Sequence, residues 1–489
     1  MNRKTFHVTS LGCAKNSVDS DSIAQLMERD GYRLVKAPQQ AGVLIVNTCG
    51  FIAPARQESF AVLRALAEGK RPDQILIAAG CLTQRYGLEV TRQVPGIDGV
   101  LGTRRWMDII EVVRQLRKGP HPEPLYNLPT DATVGTDEAD ALRASPSAVL
   151  RASVAGTSAY LKIADGCRRP CAFCAIPLIK GTSVSRPMNN ILDDALRLRD
   201  MGVRELVLIA QDTTDYGHDL GLKDGLATLL ARLVDEVAQP SPRIGGSEAG
   251  LDWIRIMYAY PGYVTDRLIE AMATHPQILP YLDMPLQHAH PDTLRRMRRP
   301  ANTDWVYQTL ARMRAAIPNL AIRTTFIVGY PGETEAEFQT LLDFISEIRF
   351  DRLGAFQFSF EPGTPSEPLG DPIPAEIKEE RYQRLMTLQQ NISLQINQSF
   401  VGQTLDMLVE GFDEGLSIGR SYRDAPEIDG LVFADRVGAA LSSSKGAVRS
   451  TYSAQGQAEI GHILPVRITG AMTYDLAGVL ADGVTASAK

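Results

Sequence analysis

Apolar residues along this chain alternate between two textures. Short unbroken runs, FHVTSLGC (6–13), VLIVNTC (43–49) and ILIAAGC (75–81), predict buried strands. Between them SDSIAQLMERDGY and ARQESFAVLRALAEG carry the spacing of amphipathic helices. This order predicts an open α/β domain with a parallel sheet over residues 1–118. Residues 119–156, rich in Pro, Asp and Ala, break the alternation and read as a linker. The runs SAYLKIADG, VRELVLIAQD, LDWIRIMYAY, LPYLDMPLQ, NLAIRTTFIVGY and RLGAFQFSF then restore it, separated by helical stretches such as EAEFQTLLDFISEI. Six such runs predict a full or partial β/α barrel over 157–398, with its ligands at the C-terminal ends of the strands. A Pro/Gly/Ser-rich insertion at about 237–252 reads as a surface loop.

Beyond the helical segment ERYQRLMTLQQNISLQINQSFVGQ the texture changes to short strands with turn residues: TLDMLVEG, LSIGRSYRDAPEIDGLVFAD and GHILPVRITGAMTYDLAGVL. These predict a small antiparallel β-barrel over 399–475 and a tail over 476–489. The chain's 489 residues are too many for one hydrophobic core, in keeping with this α/β multidomain division.

Charge narrows the classes of partner. The formal net charge is −6, with a sequence pI near 5.8, so no nucleic-acid footprint stands out. Residues 401–489 hold seven Lys/Arg against eleven Asp/Glu, a balance poorly suited to gripping phosphates. Without an apolar signal core or a membrane-length apolar run, the expected location is the cytoplasm, with no membrane partner.

Six cysteines are too few to staple a chain this long, so in a reducing compartment they point to metal or catalysis. Cys13, Cys49 and Cys81 each close one of the first three apolar runs. In a parallel sheet such strand ends share one edge, so three thiols distant in sequence can converge there. One cysteine at a strand end is usually a small buried hydrophobe, but three in the same topological position favour a shared site. The other three, Cys167, Cys171 and Cys174, stand in ADGCRRPCAFCAIP after the first barrel strand, with three residues and then two between them. A closed zinc site needs a fourth ligand, and no histidine lies between His121 and His218. Three thiols instead leave a coordination position open for chemistry.

The CxxxCxxC spacing inside a β/α repeat resembles the radical S-adenosylmethionine enzymes. That resemblance implies a 4Fe-4S cluster on Cys167, Cys171 and Cys174, with S-adenosylmethionine chelated at the free iron and cleaved to a 5′-deoxyadenosyl radical. Phe173 matches the family's aromatic position beside the cluster. Ile176, Gln211 and Asp212, with Thr213, are further polar or loop positions expected beside the cofactor, and Gly329 and Gly332 in FIVGYPGETEAEF permit a close approach to adenine. That turn is no P-loop, since no Gly-Lys-Ser/Thr follows. His288 beside Gln287 is read as a structural hydrogen-bonder before an acid or base, and RRMRRP as a solvated helix face before a phosphate contact.

The three parts together, with all six cysteines matched, resemble the methylthiotransferase branch of that family, in which the last module is the TRAM domain. SLGCAKNSVDSD, LIAQDTTDYG and GRSYRDAPEIDG resemble the class that modifies an aspartate of small-subunit ribosomal protein twelve. The class acting on transfer RNA carries a GCQMN-like start, which this chain lacks. The resemblance implies a second 4Fe-4S cluster on Cys13, Cys49 and Cys81 that holds or donates sulfur, two S-adenosylmethionine molecules per turnover, and an electron donor such as flavodoxin or ferredoxin. An acidic TRAM module suits a basic protein partner, so RNA binding is not expected to dominate. Two alternatives stay open on the residues alone: a transfer-RNA methylthiotransferase, and a non-catalytic protein whose cysteines bind zinc.

Overall fold

The computed structural model describes residues 4–119, 123–129, 134–143, 149–238, 241–242, 248–435 and 460–481. The first domain is a six-stranded parallel sheet built from β1 (Thr5–Ser10), β2 (Arg33–Leu34), β3 (Val43–Thr48), β4 (Ile75–Gly80), β5 (Gly99–Gly102) and β6 (Leu125–Asn127), ordered β2-β1-β3-β4-β5-β6. Helices cover both faces, which is why VLIVNT and nearly all of ILIAAG are buried along their whole length and do not alternate.

The central domain's sheet runs β13-β12-β11-β10-β9-β8-β7, comprising β7 (Ala152–Ala155), β8 (Ser158–Lys162), β9 (Glu205–Ile209), β10 (Trp253–Ile256), β11 (Ile278–Asp283), β12 (Ala321–Val328) and β13 (Arg352–Gln357). β8 to β13 are parallel and form the expected partial barrel, while β7 is antiparallel to β8. Helix Glu335–Ile348 starts where Thr334 and Glu337 cap each other's backbone N–H groups, so this part of the strand–helix alternation is encoded locally.

Helix Ala375–Ser399 leads to a closed barrel, β14 (Thr404–Asp413), β15 (Leu416–Ser421), β16 (Val432–Asp435), β17 (Ile463–Ala471) and β18 (Leu476–Leu480). Two boundaries differ from the sequence reading. Leu476–Leu480, assigned above to a tail, is a barrel strand, and it pairs parallel with β16, so the barrel is not wholly antiparallel. The stretch read as a linker supplies β6, helix Thr136–Arg143 and β7, so two of its segments are edge strands of the flanking sheets. Within the insertion Ser241–Pro242 pairs antiparallel with Glu248–Ala249, and residues 239–240 and 243–247 lie outside the described residues.

Candidate active site

Cys13, Cys49 and Cys81 follow β1, β3 and β4, three adjacent strands of one sheet. The segments that carry them are in contact: a Cβ on Gly12 would lie 2.9 Å from Cys49 Cβ, and one on Gly50 2.5 Å from Leu82 Cα. Gly80 holds φ +103°, and a Cβ there would meet Asn47 Oδ1 at 2.4 Å, so only glycine suits the turn that delivers Cys81. Asn16 ties the three loops together. Its Nδ2 donates to Leu11 O (2.8 Å) and Thr48 O (3.0 Å), and its Oδ1 accepts from Cys81 Sγ (3.6 Å). Burial pushes the Cys81 thiol up to about 12 and raises Cys49, and Cys13 adds to both shifts. The three sulfurs therefore share one electrostatic environment.

Cys167, Cys171 and Cys174 lie in the loop between β8 and helix Ile176–Lys180. Gly166 makes the loop possible, with φ +76° and Thr182 O only 2.0 Å from where a Cβ would stand. Burial pushes Cys167 up to about 11 and raises Cys174 as well, partly offset by the backbone N–H groups of Arg169 and Ile176. Arg299 Nη1 donates to Cys171 Sγ (3.5 Å), and its guanidinium lies 4.2 Å from the centroid of the Tyr260 ring. Arg169 stacks on Tyr263 (3.6 Å) and Tyr260 (4.7 Å) and pairs with Asp212 (2.5 Å).

The segments that carry the two triads are in contact across the first and central domains. Cys81 packs against Ala175 and Ile179, which follow the CxxxCxxC loop directly. Arg56 and Arg85, from helices after Cys49 and Cys81, both bind the buried carboxylate of Glu361, which lies beyond the end of β13. Asp19, from the helix that follows Cys13, is enclosed by Lys162 (2.5 Å), Arg151 (2.8 Å) and Lys180 (2.8 Å). Burial opposes its charge, yet these cations hold the Asp19 carboxyl well below the usual range. Burial likewise opposes the charge on Lys180, which Asp165 and Asp19 nonetheless hold above the usual range.

Comparison with known proteins agrees with this geometry. Residues 5–102 match an uncharacterized protein family, UPF0004; residues 161–345 match the radical SAM superfamily; and residues 401–480 match the TRAM domain. A protein of Chloroflexus aurantiacus named ribosomal protein uS12 methylthiotransferase RimO is 48% identical over 97% of this chain and 99% of its own length. A Roseiflexus protein of the same name is 44% identical over 99% of this chain and 98% of its own. The chain belongs to the radical SAM methylthiotransferase family. A solved radical S-adenosylmethionine methyltransferase, TsrM from Kitasatospora setae, shares the fold with TM-score 0.55 at 12% identity, covering 88% of this chain and 82% of that one. No helix among the described residues is long and apolar enough to cross a membrane.

Membership of this family implies S-adenosylmethionine and iron–sulfur chemistry, and both triads suit it. Each triad offers three soft thiolates and leaves a coordination position open, a donor set that suits an iron–sulfur cluster with one free iron. Among the described residues, a further group with its ligand atoms within 4.8 Å of one another is His290, Asp292 and Glu337. In the His290 group, Asp292 and Glu337 are already paired with Arg295 and Arg296.

The other residues singled out in the sequence fall into different places. Phe173 is partly buried and packs against Met297, Ile327, Tyr330 and Phe358. Gln211 makes no hydrogen bond to a described residue, whereas Asp212 is engaged by Arg169 and Thr214. Gly329 (φ +72°) is covered by Lys378, 2.4 Å from where its Cβ would be, and Gly332 (φ +82°) faces Arg296. His288 is buried between Glu333 and the backbone N–H of His290, a structural arrangement. Sequence reasoning missed Asn16, Arg169 and Tyr260, although Arg169 could have been found inside CRRPC. RRMRRP is not a solvated helix face throughout: the helix ends at Arg296, and Arg299 beyond it is buried and reaches Cys171 across 128 residues, a contact with no local signal.

Proposed function

We propose that this enzyme adds a methylthio group to the β-carbon of an aspartate in ribosomal protein uS12. The observation that supports the reading best is the packing of Cys81, from the first triad, against Ala175 and Ile179, which follow the CxxxCxxC loop. A methylthio transfer needs sulfur and radical chemistry delivered to one carbon, and two sites on contacting segments suit that demand. Cys167, Cys171 and Cys174 would hold one 4Fe-4S cluster with S-adenosylmethionine at its open iron, and Cys13, Cys49 and Cys81 a second that carries sulfur. When bound, these groups supply an electron to the sulfonium, a radical able to cut an unactivated C–H bond, and a sulfur nucleophile to be methylated.

The chain's own residues prepare that chemistry. Arg299 and the backbone N–H groups of Arg169 and Ile176 donate toward the thiolates and offset their charge. Asp212 acts through Arg169, holding it over the Tyr260 and Tyr263 rings, while Gln211 is left to bind a polar group of the cofactor. We assign Phe173, and the turn of Gly329 and Gly332, to the cofactor side. The reducing electron would come from a flavodoxin or ferredoxin, and the reaction would run in the cytoplasm on a basic protein partner. Anaerobic reconstitution with iron and sulfide, followed by turnover of purified uS12 with S-adenosylmethionine and a reductant, tests the reading. Methylthio-aspartyl product supports it; cofactor cleavage with product on transfer RNA only would replace it.

A further inference from the structure

Lys15 stands two residues beyond Cys13, in the first turn of helix Ala14–Arg29, and its side chain is buried, with 8% exposed. Its Nζ lies 3.1 Å from the centroid of the Tyr258 ring. The other buried lysines among the described residues are paired with carboxylates: Lys162 and Lys180 with Asp19 and Asp165, Lys378 with Asp371. Lys15 makes no ion pair or hydrogen bond with a described residue. Asp283, the carboxylate at the neighbouring strand end, is already taken by Arg323 (2.8 Å) and by the Tyr258 N–H (3.1 Å). A buried ammonium without a paired carboxylate is costly, the N-terminal end of a helix disfavours a cation further, and the strongest favourable charge acting on Lys15 is that of Cys13. Tyr258 is itself held at φ +63°, a backbone region that an aromatic residue rarely adopts.

The place of this pair gives it a use. Tyr258 lies just beyond the end of β10 at the barrel mouth, and Lys15 reaches it from the helix that begins at Cys13. The ammonium therefore stands where the helix that begins at Cys13 packs against the C-terminal edge of the barrel. Resting on the proposed function, we infer that Lys15 binds the side-chain carboxylate of the substrate aspartate and so selects a protein substrate that bears one. The reacting carbon is one bond from that carboxylate, so gripping the carboxylate holds the carbon beside the first triad, at the barrel mouth. The aromatic ring holds the ammonium in position while leaving its donors free for the anion. A neutral ligand would leave those donors unpaired, which makes the same residue a filter against it.

The test uses full-length protein with its clusters reconstituted and a labelled uS12 peptide, carrying either the target aspartate or asparagine in its place, with affinity read anaerobically by fluorescence anisotropy. Wild type should prefer the aspartate peptide by about tenfold or more, as for a charge-assisted hydrogen bond lost from a buried site. Lys15→Met should bind both peptides at the asparagine level, and Lys15→Arg should keep most of the preference. A Lys15→Met protein that retains the wild-type preference overturns the inference. So does one that loses affinity for S-adenosylmethionine with the peptide preference intact, since the ammonium then serves the cofactor. Wild type that binds neither peptide but binds transfer RNA removes the proposed function itself, and the inference with it.

Discussion

Cys174 closes the CxxxCxxC loop and Cys49 follows β3 of the first domain, and their removal should have different consequences. Each variant to alanine should lose about half the iron of the reconstituted protein, one of two four-iron clusters. Cys174→Ala should abolish reductive cleavage of S-adenosylmethionine. Cys49→Ala should retain cleavage and yield no methylthio product. Iron analysis together with chromatography of 5′-deoxyadenosine and of the digested substrate checks both, and loss of cleavage in Cys49→Ala would contradict the division of labour. All six cysteines were legible in the sequence, three by spacing and three by their place after apolar runs. Lys15, Tyr258, Tyr260 and Arg299 were not, because what marks them is a neighbour distant in sequence: Tyr258 for Lys15, and Cys171 for Tyr260 and Arg299.

At the level of the element, the cysteine loop depends on Gly166. Its φ of +76° costs a β-carbon-bearing residue about 1–3 kcal/mol in backbone strain, before the clash with Thr182 O. Gly166→Ala should therefore lower iron loading at the CxxxCxxC loop while the N-terminal triad still loads, which electron paramagnetic resonance of the reduced protein would resolve. Equal loss at both sites would mean global misfolding. Strand and helix positions were largely readable from periodicity, since β3 and β4 are continuous apolar runs and helix Glu335–Ile348 has its own cap. Pairing was not. A run such as LAGVL shows which side chains alternate but not that its partner is the parallel strand β16, and the three residues of β6 are too short to show a period.

Across the whole molecule, the concave side of the partial barrel joins all three domains. Tyr160, Val207 and Tyr281 pack there with Val18 of the first domain and Leu408 and Ala425 of the third. Glu205 anchors the third domain, bound by Arg420 (2.5 Å) and Arg255 (2.7 Å) with all three side chains buried. Burial opposes the charge on Glu205, but Arg420 and Arg255 hold its carboxyl down to about 2, against an ordinary value of 4.5. A depressed carboxyl stabilises the fold fully above the unfolded value and loses that contribution as the pH falls through the folded one. Glu205→Gln should then cost about 3–5 kcal/mol at neutral pH, as expected for breaking a buried ion pair. The gap from wild type in denaturant melts should narrow as the pH falls from about 4.5 toward 2. A gap independent of pH would remove the charge from the explanation.

The substrate is the claim on which the rest depends, and it is tested most directly by mass spectrometry of uS12 from cells that lack the endogenous enzyme, with and without this gene, alongside transfer-RNA nucleosides from the same cultures. The expected result is a gene-dependent gain of about 46 Da on one aspartate of uS12, the mass of CH3S replacing hydrogen. Unchanged uS12 with a gene-dependent methylthio-adenosine in transfer RNA would contradict it.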